Sequence, residues 1–119
     1  MTPHARYMRK YNDALSRDIW FDLEFEDYMQ LVNTEHCFYT GVRLNNTPKS
    51  ARRRTFDRID PDGGYTVRNT VAASHMANNA KNVLFEEPHR SRLTLWQMQR
   101  LLFKLWWVGF KDNRPRNGR

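Results

Sequence analysis

The stretch TFDRIDPDGGYTVRNTVAASHMANNAKN, Thr55 to Asn82, decides the fold. β-branched and aromatic residues bounded by Pro and Gly predict a strand at Thr55 to Ile59 and a second at Thr70 to Ala73. Between them lies a Gly-rich turn through Pro61, Asp62, Gly63 and Gly64. Ser74 is placed to N-cap a helix that runs through Lys81, its hydroxyl accepting from a free first-turn N–H. Strand, turn, strand and helix in so short a span make a ββα unit. Asp57 on the first strand and Asn78 on the helix both offer oxygens, which suit one hard divalent cation such as Mg²⁺.

Upstream of that unit, Met1 to Asn12 shows no clear periodicity and reads as a loose arm. Phe25, Tyr28, Met29 and Val32 fall at i, i+3, i+4 and i+7, one face of a helix. Asp22, Glu24, Glu26 and Asp27 near its start suit the positive end of the helix dipole. Asn45 to Arg54, NNTPKSARRR, is a polar, basic loop broken by Pro. Its plain reading is a solvated linker, yet Arg52, Arg53 and Arg54 stand immediately before the strand that carries Asp57.

Downstream, Glu86-Glu87-Pro88 ends or kinks the helix, because Pro disfavours α geometry in the residue before it. Thr94 and Gln97 form a capping-box pattern. A last helix follows from Leu95 to about Val108, with Leu95, Met98, Leu101, Leu102, Leu105 and Val108 on one broad apolar face. Trp96, Trp106, Trp107 and Phe110 widen that face, and Gly109 is a stop signal. The face suits packing on the ββα core, or a homodimer contact. Lys111 to Arg119 is a basic tail.

With 119 residues the chain has room for one small domain. The parts are an N-terminal arm (1–20), the core (21–84), the C-terminal helix (94–110) and the tail (111–119). No apolar run reaches the ~20 residues that span a bilayer, and the N-terminus lacks the apolar core of a signal peptide. One cysteine excludes an internal disulfide framework and fits a reducing cytoplasm. Charge is divided unevenly. Residues 1–36 hold four Lys/Arg against seven Asp/Glu, and residues 37–119 hold sixteen against six, which gives the net +7. A basic face of that size attracts polyanions, nucleic acid above all.

Several motifs resemble the HNH nucleases, specifically the small DRID-type HNH proteins of bacteriophages. These are Cys37, Thr40 and Gly41; Phe56-Asp57-Arg58-Ile59-Asp60; Gly64-Tyr65; Asn69; and Ser74, Ala77, Asn78 and Lys81, with Phe25-Glu-Asp-Tyr28 as lead-in. The resemblance covers Phe21 to Asn82. It implies an α+β fold with a ββα-metal core flanked by N- and C-terminal helices. It also implies metal-dependent DNA cleavage in the cytoplasm of a phage-infected bacterial cell. One Mg²⁺ or Mn²⁺ would be held by Asp57 and Asn78. Asn69 would fix the loop between the strands, and Arg52, Arg53, Arg54, Arg68 and Lys81 would contact DNA.

Two departures qualify that expectation. Of the family's four zinc cysteines only Cys37 remains, the others being Thr40, Ser74 and Ala77. A structural zinc wants four N or S ligands, so none is expected. Glu35 to Leu44, which resembles the first half of a zinc knuckle, is expected to pack directly on the helix beneath the Trp-rich turns near Trp106. Second, the position where many HNH enzymes place a basic His is Arg58, which stays protonated and cannot take a proton. Arg58 is expected to clamp the scissile phosphate instead. The proton acceptor is left open between Asp60, on the same strand face as Arg58, and His75 at the helix start. The alternative class is a DNA-binding or host-protein-binding module of the same fold without catalysis.

Overall fold

The computed structural model describes residues 1–86 and 92–109. Its elements are α1 (Pro3–Ser16), α2 (Phe25–Val32), β1 (Arg54–Arg58), β2 (Thr70–Ser74), α3 (His75–Phe85) and α4 (Leu95–Trp107). The fold is therefore α+β, with four helices and one two-stranded sheet among the described residues. β1 and β2 are antiparallel, pairing Arg54 with Ser74 and Arg58 with Thr70. The first strand begins and ends one residue earlier than its composition suggests, and α3 runs on past Lys81 to Phe85. Ser74 caps α3 by accepting from the Ala77 N–H at 3.1 Å.

The N-terminal segment is not a loose arm. The Thr2 hydroxyl accepts from the Ala5 N–H, and Pro3 occupies the first turn, where its missing N–H costs nothing. Tyr7, Tyr11 and Ala14 then recur at helical spacing and face the body. Tyr7 packs edge-on against Phe21, Phe25 and Tyr28, and its hydroxyl donates to the Leu23 carbonyl at 2.6 Å. The rings behave as an apolar stripe, although the intervening basic residues hide it from a count of aliphatic positions.

Two small clusters form the core. Ala14, Leu23 and Tyr65 are buried in one, and Cys37, Leu44, Ala72 and Ala73 in the other. Leu31 of α2 packs against both and joins them. The loop between the strands is sewn to the segment after α1. The Tyr65 backbone donates to Trp20 O and accepts from the Asp22 N–H, both at 2.8 Å. Gly64 makes this approach feasible, because a Cβ there would sit 2.6 Å from Trp20 O. That obstacle is backbone and cannot swing aside. Gly64→Ala should lower unfolding free energy by about 1–3 kcal/mol, the range for overpacking, as read from denaturant midpoints. A midpoint equal to the parent's would mean that the contact yields.

At the other end, α4 is capped as expected. Thr94 and Gln97 exchange hydrogen bonds at 3.1 and 2.9 Å, and Gly109 takes a positive φ of 77°. Its packing does not follow expectation. Met98 is buried, but Trp96, Trp106 and Trp107 are 66%, 72% and 70% exposed, so the Trp-rich turns do not cover the knuckle. Amphipathicity shows that a helix has an apolar face without saying what meets it. Phe110 and the tail from Lys111 lie outside the described residues. No helix among the described residues is long and apolar enough to cross a membrane.

Candidate functional site

An open cleft of about 420 Å³ lies between α1, β1 and α3. β1 contributes Phe56, Asp57 and Arg58 to its wall, and the following loop Pro61 and Tyr65. His75, Asn78, Asn79 and Asn82 line it from one side of α3, three to four residues apart as a single helical face requires. Four residues of the DRID and helix motifs thus meet in one place: Asp57, Arg58, His75 and Asn78.

Asp57 is 6% exposed. Its Oδ2 accepts from the Tyr39 hydroxyl at 2.5 Å and faces Lys81 Nζ at 3.5 Å. Burial, reinforced by the adjacent carboxylate, pushes the Tyr39 phenol well above its usual range. Lys81 points inward. Its ammonium donates to the Arg58 carbonyl at 3.1 Å and pairs with Glu86. The motif implies a phosphate contact for Lys81; here it lies between two carboxylates. Asn78 donates its Nδ2 to Thr55 Oγ1 at 3.3 Å, which leaves its oxygen as the group able to hold a cation.

Arg58 donates to the Gly63 carbonyl at 2.8 Å, and its guanidinium stands over the Tyr65 ring. Asn69 fastens the loop: its Oδ1 accepts from the Asp60 N–H, and its Nδ2 donates to the carbonyls of Asp60 and Gly64. Asp60 is not on the strand, which ends at Arg58; its carboxylate accepts from the Asp62 N–H and does not line the cleft. The shared strand face expected for Asp60 and Arg58 is therefore absent. His75 does line the cleft, with Nδ1 3.0 Å from Arg53 Nη2. Arginine only donates, so Nδ1 is the accepting atom of this contact.

The remaining arginines divide. Arg54 is structural, donating twice to the Thr34 carbonyl and once to Asn46. Arg52 and Arg68 are exposed. Four further residues at the site escaped the sequence reading. Lys10 enters from α1 and Arg17 from its C-terminal cap, and Glu86 and Tyr39 close on Lys81 and Asp57. The aromatic spacing of α1 was the available signal for the first two; contacts as remote as Tyr39 to Asp57 leave none.

The knuckle turn at Cys37 is intact in backbone. The Cys37 N–H donates to Val42 O, the Gly41 N–H donates to Cys37 O, and Gly41 takes a positive φ of 77°. The Ser74 N–H donates to Cys37 Sγ at 3.3 Å, and Ala77 packs on the same cluster. Burial raises the thiol, but hydrogen bonds from the Thr40 side chain and from the backbone of Ser74, Thr40 and Tyr39 outweigh it and bring it down to about 7. Among the described residues no group of three or more His, Cys, Asp or Glu could hold a metal ion. A lowered thiol pKa favours the folded state once the thiolate forms. Stability should therefore rise by up to about 2–3 kcal/mol from pH about 7 to the ordinary thiol value of 9.0. Denaturation midpoints across that interval test this against Cys37→Ala, which should lack the rise. A flat parent profile would mean that burial wins.

No family model and no solved structure matches the chain significantly. A stretch of 79 residues, 66% of the chain, is 33% identical to an uncharacterized protein of Acanthamoeba polyphaga mimivirus. The matching stretch spans 14% of that protein's length.

Proposed function

We propose that the chain is a metal-dependent DNA endonuclease of the HNH type, with its ββα-metal core formed by β1, β2 and α3. One observation carries the reading: Asp57, Arg58, His75 and Asn78 converge on a single open cleft with a buried carboxylate in its wall. Asp57 and the Asn78 oxygen fit a hard cation in donor chemistry, and both partners of Asp57 engage the same oxygen, Oδ2. A bound Mg²⁺ or Mn²⁺ would polarise the phosphate and stabilise the leaving 3′ oxygen. Arg58 contacts the scissile phosphate, and Asn69 keeps the 60–64 loop shaped so that Arg58 stays anchored on Gly63. Arg52, Arg53 and Arg68 meet the strand outside the cleft. Lys81 acts as the resident counter-ion of Asp57, a role that a cation held by Asp57 and Asn78 would share.

A second reading, DNA binding without cleavage, is favoured by the same Lys81. An ammonium already balances Asp57, and neither candidate base is free and in place. Incubating plasmid DNA with purified protein and Mg²⁺, Mn²⁺ or EDTA separates the two. Metal-dependent nicking supports the nuclease; retained binding without cutting under every metal condition supports the module.

The exposed face of α4 is assigned to a second copy of the chain. Trp96, Phe103, Trp106 and Trp107 are more than half exposed. At about 150–250 Å² for a whole aromatic side chain, they would supply about half or more of the ~800 Å² per partner of a stable interface. Trp106→Glu should convert a sedimenting dimer to monomer, and a monomeric parent would remove the assignment.

A further inference from the structure

The cleft holds two cations that no carboxylate among the described residues neutralises. Lys10 Nζ lies 4.7 Å from the centroid of the Tyr65 ring and 5.5 Å from that of Phe56, and donates to the Tyr65 hydroxyl at 3.4 Å. Arg58 Cζ stands 5.3 Å from the centroid of the same Tyr65 ring. Both side chains are half-buried, and neither forms an ion pair among the described residues. The two acids that line the cleft, Asp57 and Glu86, are paired with Lys81. Two like charges sharing one ring repel, the more so where water is partly excluded. The ring faces offset some of this. An anion that met both cations would offset the repulsion further.

We propose that Lys10 and Arg58, mounted on Tyr65, form a binding site for one backbone phosphate of a DNA strand. A phosphodiester suits the pair: it carries one negative charge and two non-bridging oxygens, one for the ammonium and one for the guanidinium. α1 thereby becomes a wall of the nucleic-acid site, with Lys10 as a binding residue contributed from outside the DRID stretch. The inference rests on reading the cleft as a DNA site and does not depend on cleavage.

The test measures binding of a short fluorescein-labelled DNA duplex in EDTA across a salt series. Removing one phosphate-binding cation should lower the slope of log affinity against log salt by about one. Lys10→Met and Arg58→Met should each do so, while Lys10→Arg should keep the parent slope. Arg9→Met, one position away and outside the cleft lining, serves as the control. A parent-like slope for Lys10→Met, or an equal drop for Arg9→Met, overturns the site. Should Lys10→Met fail to fold, the parent protein decides: DNA must protect Lys10 from acetylation, as read by mass spectrometry, and unprotected Lys10 overturns the site. A lowered Lys10→Met slope with no cleavage under any metal leaves the phosphate site standing and removes the nuclease. Cleavage with an unchanged slope does the reverse.

Discussion

Asp57→Ala should lose metal-dependent cleavage and also lower stability by about 3–5 kcal/mol, the cost of breaking a buried ion pair from one side. Two partners are stranded at once. The Tyr39 hydroxyl loses its acceptor at 2.5 Å, and Lys81 is left with Glu86 and the Arg58 carbonyl. Because that loss is a large part of a small domain's stability, Asp57→Asn is the variant that reads out chemistry. It keeps an oxygen for Tyr39 and removes only the charge. Its cleavage rate should still fall by about 10²–10³-fold, the cost of deleting one electrostatic stabiliser, while DNA binding in EDTA is retained. The stability loss has its own check. Adding Lys81→Met to Asp57→Ala removes the stranded ammonium, so the double variant should be more stable than Asp57→Ala alone. Strictly additive losses would mean that Lys81 and Asp57 do not interact in solution.

What the sequence made legible, and what it hid, follows the range of the forces involved. Ser74 and the Thr94–Gln97 box act within a few residues, and the caps they encode are formed at those positions, whereas Gly64 serves a contact with Trp20, far along the chain. The strand pair was visible because its hydrophobic runs are bounded by Gly and Pro. α1 was hidden because its apolar stripe is aromatic and interrupted by Arg6, Arg9 and Lys10, and because its packing partners are the rings of Phe21, Phe25 and Tyr28. The convergence of Asp57, Arg58, His75 and Asn78 could be anticipated from a strand facing a helix. The counter-ion role of Lys81 could not, since a side chain at that position can turn outward to solvent or inward to Asp57 with no change in the chain's periodicity.

Arg58 gives the sharpest division between binding and chemistry. If it grips the scissile phosphate, Arg58→Ala should slow cleavage far more than it weakens DNA binding, because the contact strengthens as charge builds in the transition state. The substitution also frees the Gly63 carbonyl and uncovers the Tyr65 ring, so loop stability must be followed beside the rate. Arg58→Lys separates these contributions. It keeps a cation over the ring but loses the planar fork that holds two oxygens, and should recover binding fully and rate only in part. Arg58→His asks about the proton. Asp60 sits outside the cleft and the Nδ1 of His75 faces Arg53, so the parent has no well-placed acceptor among the described residues. A histidine on this strand would supply one. Activity should be retained or raised, and the pH–rate profile should gain a limb near the ~6.5 of imidazole. An Arg58→Ala variant that cleaves like the parent would make Arg58 a loop anchor only and remove it from the reaction.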